Sequence, residues 1–171
     1  MPEKHPLKYW PGPGLLVAIA QVLSGQTVST PIFHQPALAQ APPNLDNITI
    51  GPRFSPNPLE VRGQAGGTSP ARDLVGLSET PTGPCAGFAS TSPNHTLVLT
   101  SFFSSLSLQV QASEDTALAI KGPGGVWCND DYQGHNPGVA GQWLPGTYRI
   151  WVTAHDRNRR PGYVLRIAEG R

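Results

Sequence analysis

The chain has 171 residues, of which 13% are charged, and a formal net charge of +1. That length suits one domain with residues left over for a leader. The near-neutral balance offers neither the basic surface that nucleic acid requires nor one that an acidic membrane attracts. Nineteen glycines and nineteen prolines disfavour long helices, because proline removes a backbone donor and glycine costs chain entropy.

The N-terminus has the pattern of an export signal. Lys4, His5 and Lys8 form a basic start, and Leu15 to Leu23 an apolar run of nine residues. That run is too short for a bilayer core, which takes roughly 20 residues. Ala37-Leu38-Ala39 fits the small-x-small cleavage rule, so residues 1–39 are expected to be a signal peptide and Gln40 the first mature residue. The remainder then carries equal numbers of basic and acidic residues and no transmembrane segment. Its compartment is expected to be the periplasm or the exterior. Cys85 and Cys128 are its two cysteines. An even count in an exported chain predicts a disulfide, and their spacing matches no zinc motif.

From Gln40 to Pro84 the chain is rich in proline and glycine and is expected to supply short edge strands. Ile48 to Ile50 and Leu59 to Arg62 are such strands, separated by the prolines of Phe54-Ser55-Pro56-Asn57-Pro58. Gly63 to Pro70 is expected to turn, and Asp73 to Leu77 to form a further short strand. From Cys85 to Arg171 the strand signals strengthen into the expected core. Leu97 and Leu99 share a face. Leu106, Leu108 and Val110 alternate with Ser105, Ser107, Gln109 and Gln111, which is period two with one wet face. Leu118 and Ile120 precede a turn at Gly122-Pro123-Gly124-Gly125. Val126 to Cys128 is a short strand, Asn129 to Gly138 a polar loop and Val139 to Trp143 another extended piece. Tyr148, Ile150 and Val152 face one way and Arg149, Trp151 and Thr153 the other. His155 to Gly162 is expected to be a hairpin tip before the inward row Tyr163, Leu165 and Ile167. Short strands at close spacing without a helical pattern predict an all-β, antiparallel sandwich.

Several of these pieces also carry a resemblance. Asp115-Thr116, Leu118-x-Ile120, Gly122-Pro123, Cys128-Asn129-Asp130-Asp131, Asn136-Pro137 and Pro145-Gly146-Thr147-Tyr148-x-Ile150-x-Val152 resemble the bacterial pre-peptidase C-terminal domain. The resemblance spans about Thr96 to Glu169. Phe54-Ser55-Pro56-Asn57-Pro58 and Gly66-Gly67 look like stand-alone exported members of cyanobacterial type. The resemblance implies a jelly-roll-like sandwich of about eight strands. It also implies an accessory role, binding or assisting rather than catalysing. No peptidase domain precedes the module, so an appended role within this chain is not expected.

Asn129, Asp130, Asp131 and Asp115 are the candidate metal ligands. Calcium takes several oxygens from carboxylates, amides and carbonyls on a flexible loop, and it is the ion this set would suit. The competing explanation is structural, since Asp and Asn also cap turns through backbone amides. His135, Asn136, Arg149 and Trp151 are the candidate partner-binding residues, with Trp151 expected to be exposed beside Arg149. Trp127 and Trp143 fit packing. Arg157, Arg159 and Arg160 fit a solvated tip. Asn47 and Asn94 fit glycosylation acceptors in a host that uses them. His95, His135 and His155 lack metal-binding spacing, and the chain has no H-E-x-x-H, G-x-S-x-G or C-x-x-C. The expected function is an exported, non-catalytic module that binds a protein or glycan of the cell envelope. The alternatives are a secreted hydrolase or its accessory subunit, with a site around His135 and Asp130, and a structural envelope protein.

Overall fold

The computed structural model describes residues 46–170. The expected signal peptide, residues 1–39, lies outside the described residues, as do residues 40–45. In chain order the elements are β1 (Asn47–Ile50), β2 (Leu59–Gln64), β3 (Ser69–Pro70), α1 (Ala71–Val75), β4 (Glu79–Thr80), β5 (Gly83–Pro84), β6 (Phe88–Ala89), β7 (His95–Leu99), β8 (Phe103–Ala112), β9 (Thr116–Gly122), β10 (Gly125–Asn129), β11 (Gly138–Trp143), β12 (Gly146–Ala154) and β13 (Gly162–Glu169). Among the described residues no helix is long and apolar enough to cross a membrane.

The protein is an all-β sandwich. One sheet has the order β11-β8-β13-β2, and every pair in it is antiparallel. The other is built on β12. Along one edge β12 pairs with β7, and near its end Ala154 pairs with Phe88 of β6. Along the opposite edge it pairs with β9, which pairs in turn with β10. The β1–β7 pair is parallel, from Asn47↔Thr96 to Ile50↔Leu99. The sheets are therefore antiparallel except at this edge.

Alternation along each strand fills the space between the sheets. Leu106, Leu108 and Val110 of β8, Leu165 and Ile167 of β13, and Val61 of β2 meet Leu97, Leu118, Ile120, Tyr148, Ile150 and Val152 of the facing sheet, all buried. Burying a side chain of this size stabilises by about 1.5–3 kcal/mol. Aromatic rings close one end of the core. Tyr148 lies 5.0 Å from Trp143 and 6.0 Å from Trp127, centroid to centroid. The Trp143 indole N–H donates to Leu106 O at 2.9 Å, and the Tyr148 hydroxyl donates to Leu144 O at 2.8 Å.

The β12 sheet is covered on its other face as well. Ala71, Val75, Cys85, Ala89, Ala119, Cys128 and Trp151 form a second buried cluster there. The Cys85–Cys128 disulfide is formed, with Cα atoms 5.0 Å apart. It ties the cap made by residues 71–85 to β10. The expected strand at Asp73 to Leu77 is instead the short helix α1 ending in a turn. Buried Ala71 and Val75 are four apart, the helical spacing. Gly76, at φ 84°, ends the helix in a left-handed conformation suited to glycine, and its N–H donates to Arg72 O. Gly67 has a different reason to be glycine, because a Cβ there would collide with the Ala89 backbone.

The expected hairpin at His155 to Gly162 is also corrected. β12 and β13 belong to different sheets, so residues 155–161 cross the sandwich rather than fold back. The reason lies in the pairing. β9 and β7 occupy both edges of β12, leaving no edge for β13.

Opening the disulfide by Cys85→Ala is expected to cost about 4 kcal/mol on the chain-entropy account of the 43-residue separation, read by denaturant unfolding. Alkylation of both thiols in unreduced protein would refute the bridge. Leu165→Ala, in the middle of the main core, is expected to cost about 3 kcal/mol in the same assay. A cost well below 1 kcal/mol would contradict close packing there.

Candidate functional site

The capped face of the β12 sheet ends in a cluster of titratable groups. β10, β9 and β12 are adjacent strands. Cys128, Ala119 and Trp151 all enter the second buried cluster, so they share this face. Stepping by two along each strand brings Asp130, Asp115 and His155 to the same face at the same end. Ala154 pairs with Thr116, and Asn129 with Leu118, so His155 lies level with Asp115 and Asp130 level with Ala117. Asp130 and His155 thus come from the two strands that flank β9.

The His155 Nε2 and Asp130 Oδ1 atoms are 2.8 Å apart, and Asp115 Oδ2 is 3.9 Å from the same nitrogen. One donor atom from each of the three residues falls within 4.8 Å of the others. The hydrogen bond to Asp130 raises the His155 pKa above 6.5. Desolvation opposes the shift, and the charges of Asp130, Asp115 and Asp131 reinforce it. Glu114, Arg159 and Arg157 are otherwise engaged. Glu114 accepts two 2.7 Å bonds from the Arg159 guanidinium, which hold its carboxyl below the usual value. Arg157 lies over the Phe88 ring at 4.6 Å.

Of the four expected calcium ligands, the fold brings Asp115 and Asp130 together and leaves the other two aside. The Asn129 side chain donates to Thr82 O and accepts from Gly138 N, both at 2.9 Å, so it braces the loop. Asp131 is exposed and outside the three-residue group. The third member, His155, was not among the expected ligands. Its separation from Asp130 in sequence hides a contact that only strand register creates.

The four expected partner-binding residues do not form one surface. His135 is exposed at the loop tip. Asn136 Oδ1 accepts from Ala112 N at 2.8 Å, and its backbone closes the turn with Gln133. Arg149 is exposed on β12. Trp151 is only 3% exposed, lying in the second cluster beside Val75 and the disulfide. The expectation that it would be exposed fails because residues 71–85 cover the face it shares with Arg149.

A second feature gave no signal in the sequence. An open groove of about 1130 Å³ runs across the end of the sandwich. Gln111, Val164 and Arg62 form one row of its wall, in register across β8, β13 and β2. Ser90 and Ser92, from the link between β6 and β7, form the other wall with Gln64 and Ser113 nearby. Asn94 fastens the two sheets here. Its Nδ2 donates to Gln64 O at 2.7 Å, and its Oδ1 accepts from Val152 N at 2.9 Å. With its amide so engaged, Asn94 does not present the free side chain that glycosylation requires. Below it, the Tyr163 hydroxyl and the buried His95 Nε2 are 2.8 Å apart. Burial pushes the Tyr163 pKa up.

No protein-family model and no curated protein matches the chain. Among solved structures it is similar to the pre-peptidase C-terminal domain of a collagenase from Bacillus anthracis. The identity is 13% and the TM-score 0.40, over 75% of this chain and 99% of that one. It is also similar to PliG of Aeromonas hydrophila, a periplasmic inhibitor of g-type lysozyme. There the identity is 12% and the TM-score 0.35, over 72% and 96% of the two chains. Scores this low carry no argument about partner or activity, and the sandwich rests on the strand register described above.

The raised His155 pKa has a definite sign for stability. The contribution is fully present below the ordinary value of 6.5 and is lost as pH rises through the raised value. In metal-free protein, NMR titration of the imidazole is expected to place His155 above 6.5, with Asp130→Asn moving it down. A wild-type value at or below 6.5 would contradict the pairing.

Proposed function

We propose that the protein is an exported, non-catalytic β-sandwich module that binds a glycan of the cell envelope in the groove at the end of the sandwich. The observation that carries the reading is the chemistry of the groove walls. Gln64, Gln111, Ser90, Ser92 and Ser113 are neutral groups that both donate and accept hydrogen bonds, and Arg62 adds a fixed planar donor. Such a lining suits a ligand with many hydroxyl groups. A protein–protein interface more often centres on aromatic and apolar anchors. The walls are held by paired strands and by the Asn94 fastening, so little ordering entropy opposes binding. Export is supported by the disulfide, which persists in oxidising compartments. Periplasm and exterior both satisfy that condition.

The test is calorimetric titration of the full chain with a panel of soluble envelope oligosaccharides. Arg62→Ala combined with Gln111→Ala is expected to weaken the best ligand by about 5- to 150-fold, since each lost hydrogen bond contributes about 0.5–1.5 kcal/mol. The unfolding midpoint should be unchanged, because both side chains point to solvent. Equal affinity for the double variant would overturn the assignment of the groove. Failure of the whole panel, with an envelope protein retained instead, would replace the glycan by a protein partner.

A further inference from the structure

We propose that Asp115, Asp130 and His155 form a binding site for a divalent transition-metal ion of the zinc class. The ligands would be His155 Nε2 and one carboxylate oxygen from each aspartate. This site is separate from the groove and does not depend on the glycan reading.

The donor set selects the metal. An imidazole nitrogen with two carboxylates suits zinc and its first-row neighbours. Calcium takes six to eight oxygens, and the fold withholds the extra ones. Asn129 is committed to Thr82 and Gly138, and Asp131 lies outside the cluster. Glu114 is held by Arg159 in two 2.7 Å bonds.

Distances agree with this choice. Ligands at about 2.0–2.2 Å from a tetrahedral zinc lie roughly 3.3–3.6 Å from one another. The His155 nitrogen stands 2.8 Å from Asp130 and 3.9 Å from Asp115, on either side of that value. All three side chains are partly exposed, so small rotations close the difference without disturbing the core. Three protein ligands leave a fourth position for water, on the solvent side.

The backbone beneath the site is rigid. The ligands extend three adjacent strands by one residue each, and their common face is set by register. Cys128, two residues before Asp130, is anchored by the disulfide. Thr153, two residues before His155, donates to Ala86 O at 2.9 Å. A preformed backbone of this kind reduces the ordering cost that an exposed three-ligand site otherwise carries.

The experiment is isothermal titration of chelator-treated full chain with zinc chloride, and separately with calcium chloride. Melting curves with each ion accompany it. Zinc is expected to bind at one site per chain and raise the melting temperature, with calcium binding far more weakly. His155→Gln and Asp130→Asn should each weaken zinc at least about tenfold, whereas His135→Gln and Asp131→Asn should leave it within about twofold. Circular dichroism of the metal-free variants separates loss of the site from loss of the fold. Absence of saturable zinc binding, zinc binding unaltered by His155→Gln in folded protein, or a preference for calcium would each overturn the proposal.

Discussion

The pairing of β9 with β12 is the constraint on which the other features depend. Six consecutive residue pairs run from Arg149↔Lys121 to Ala154↔Thr116. Because side chains alternate, this one register assigns two sets of residues at once. Leu118, Ile120, Ile150 and Val152 go to the space between the sheets, and Ala119 and Trp151 go to the capped face. A slip of one residue would exchange the sets, turning Arg149 and Lys121 toward the space between the sheets and the leucine and isoleucine side chains toward the smaller capped face. From Thr116 to Ile120 and from Ile150 to Ala154 both strands are buried throughout, because the sheet has something to cover on each face. That is unusual for an antiparallel sheet, which commonly leaves one face to water.

The cap that makes this two-sided burial workable is small. α1 has five residues and β4 and β5 two each, too little to be stable alone. Covalent and polar ties hold it. The disulfide joins it to β10, Thr82 Oγ1 donates to Cys128 O at 2.7 Å, and Cys128 N donates to Thr80 Oγ1 at 3.0 Å. Trp151 fills the space beneath, and its indole nitrogen is among the few buried polar atoms with no partner in the described residues. A buried unpaired donor of this sort costs about 1–3 kcal/mol, which the packing of the ring offsets.

The same register produces the charged cluster. Two aspartates and a histidine end on one face because β10, β9 and β12 are neighbours, each carrying one of them just past its last paired residue. The cluster and the groove share no residue and use different chemistry, the first three titratable side chains and the second mainly neutral amides and hydroxyls with Asp46 and Arg62 among them. The separation lets an ion and a polar ligand bind without sharing residues.

Much of the fold was legible in the chain itself. Period-two alternation at Leu106 to Val110, Tyr148 to Val152 and Tyr163 to Ile167 marks buried strands, and the two cysteines mark their own bridge, because those signals are local. What was not legible depends on pairing between distant segments. Nothing near Trp151 announces that residues 71–85 will cover it. The residues around His155 do not show that β12 has both edges filled, so that the chain must cross to the other sheet. Nor do they show that His155 will stand beside Asp130 rather than His135. The sequence by itself determined the strand content, the inward residues and the disulfide, since hydrophobic burial and side-chain alternation act on each segment separately. Tertiary structure alone decided the sheet order, the capped face, the groove and the Asp115–Asp130–His155 cluster, since each arises where strands far apart in the chain are brought into register.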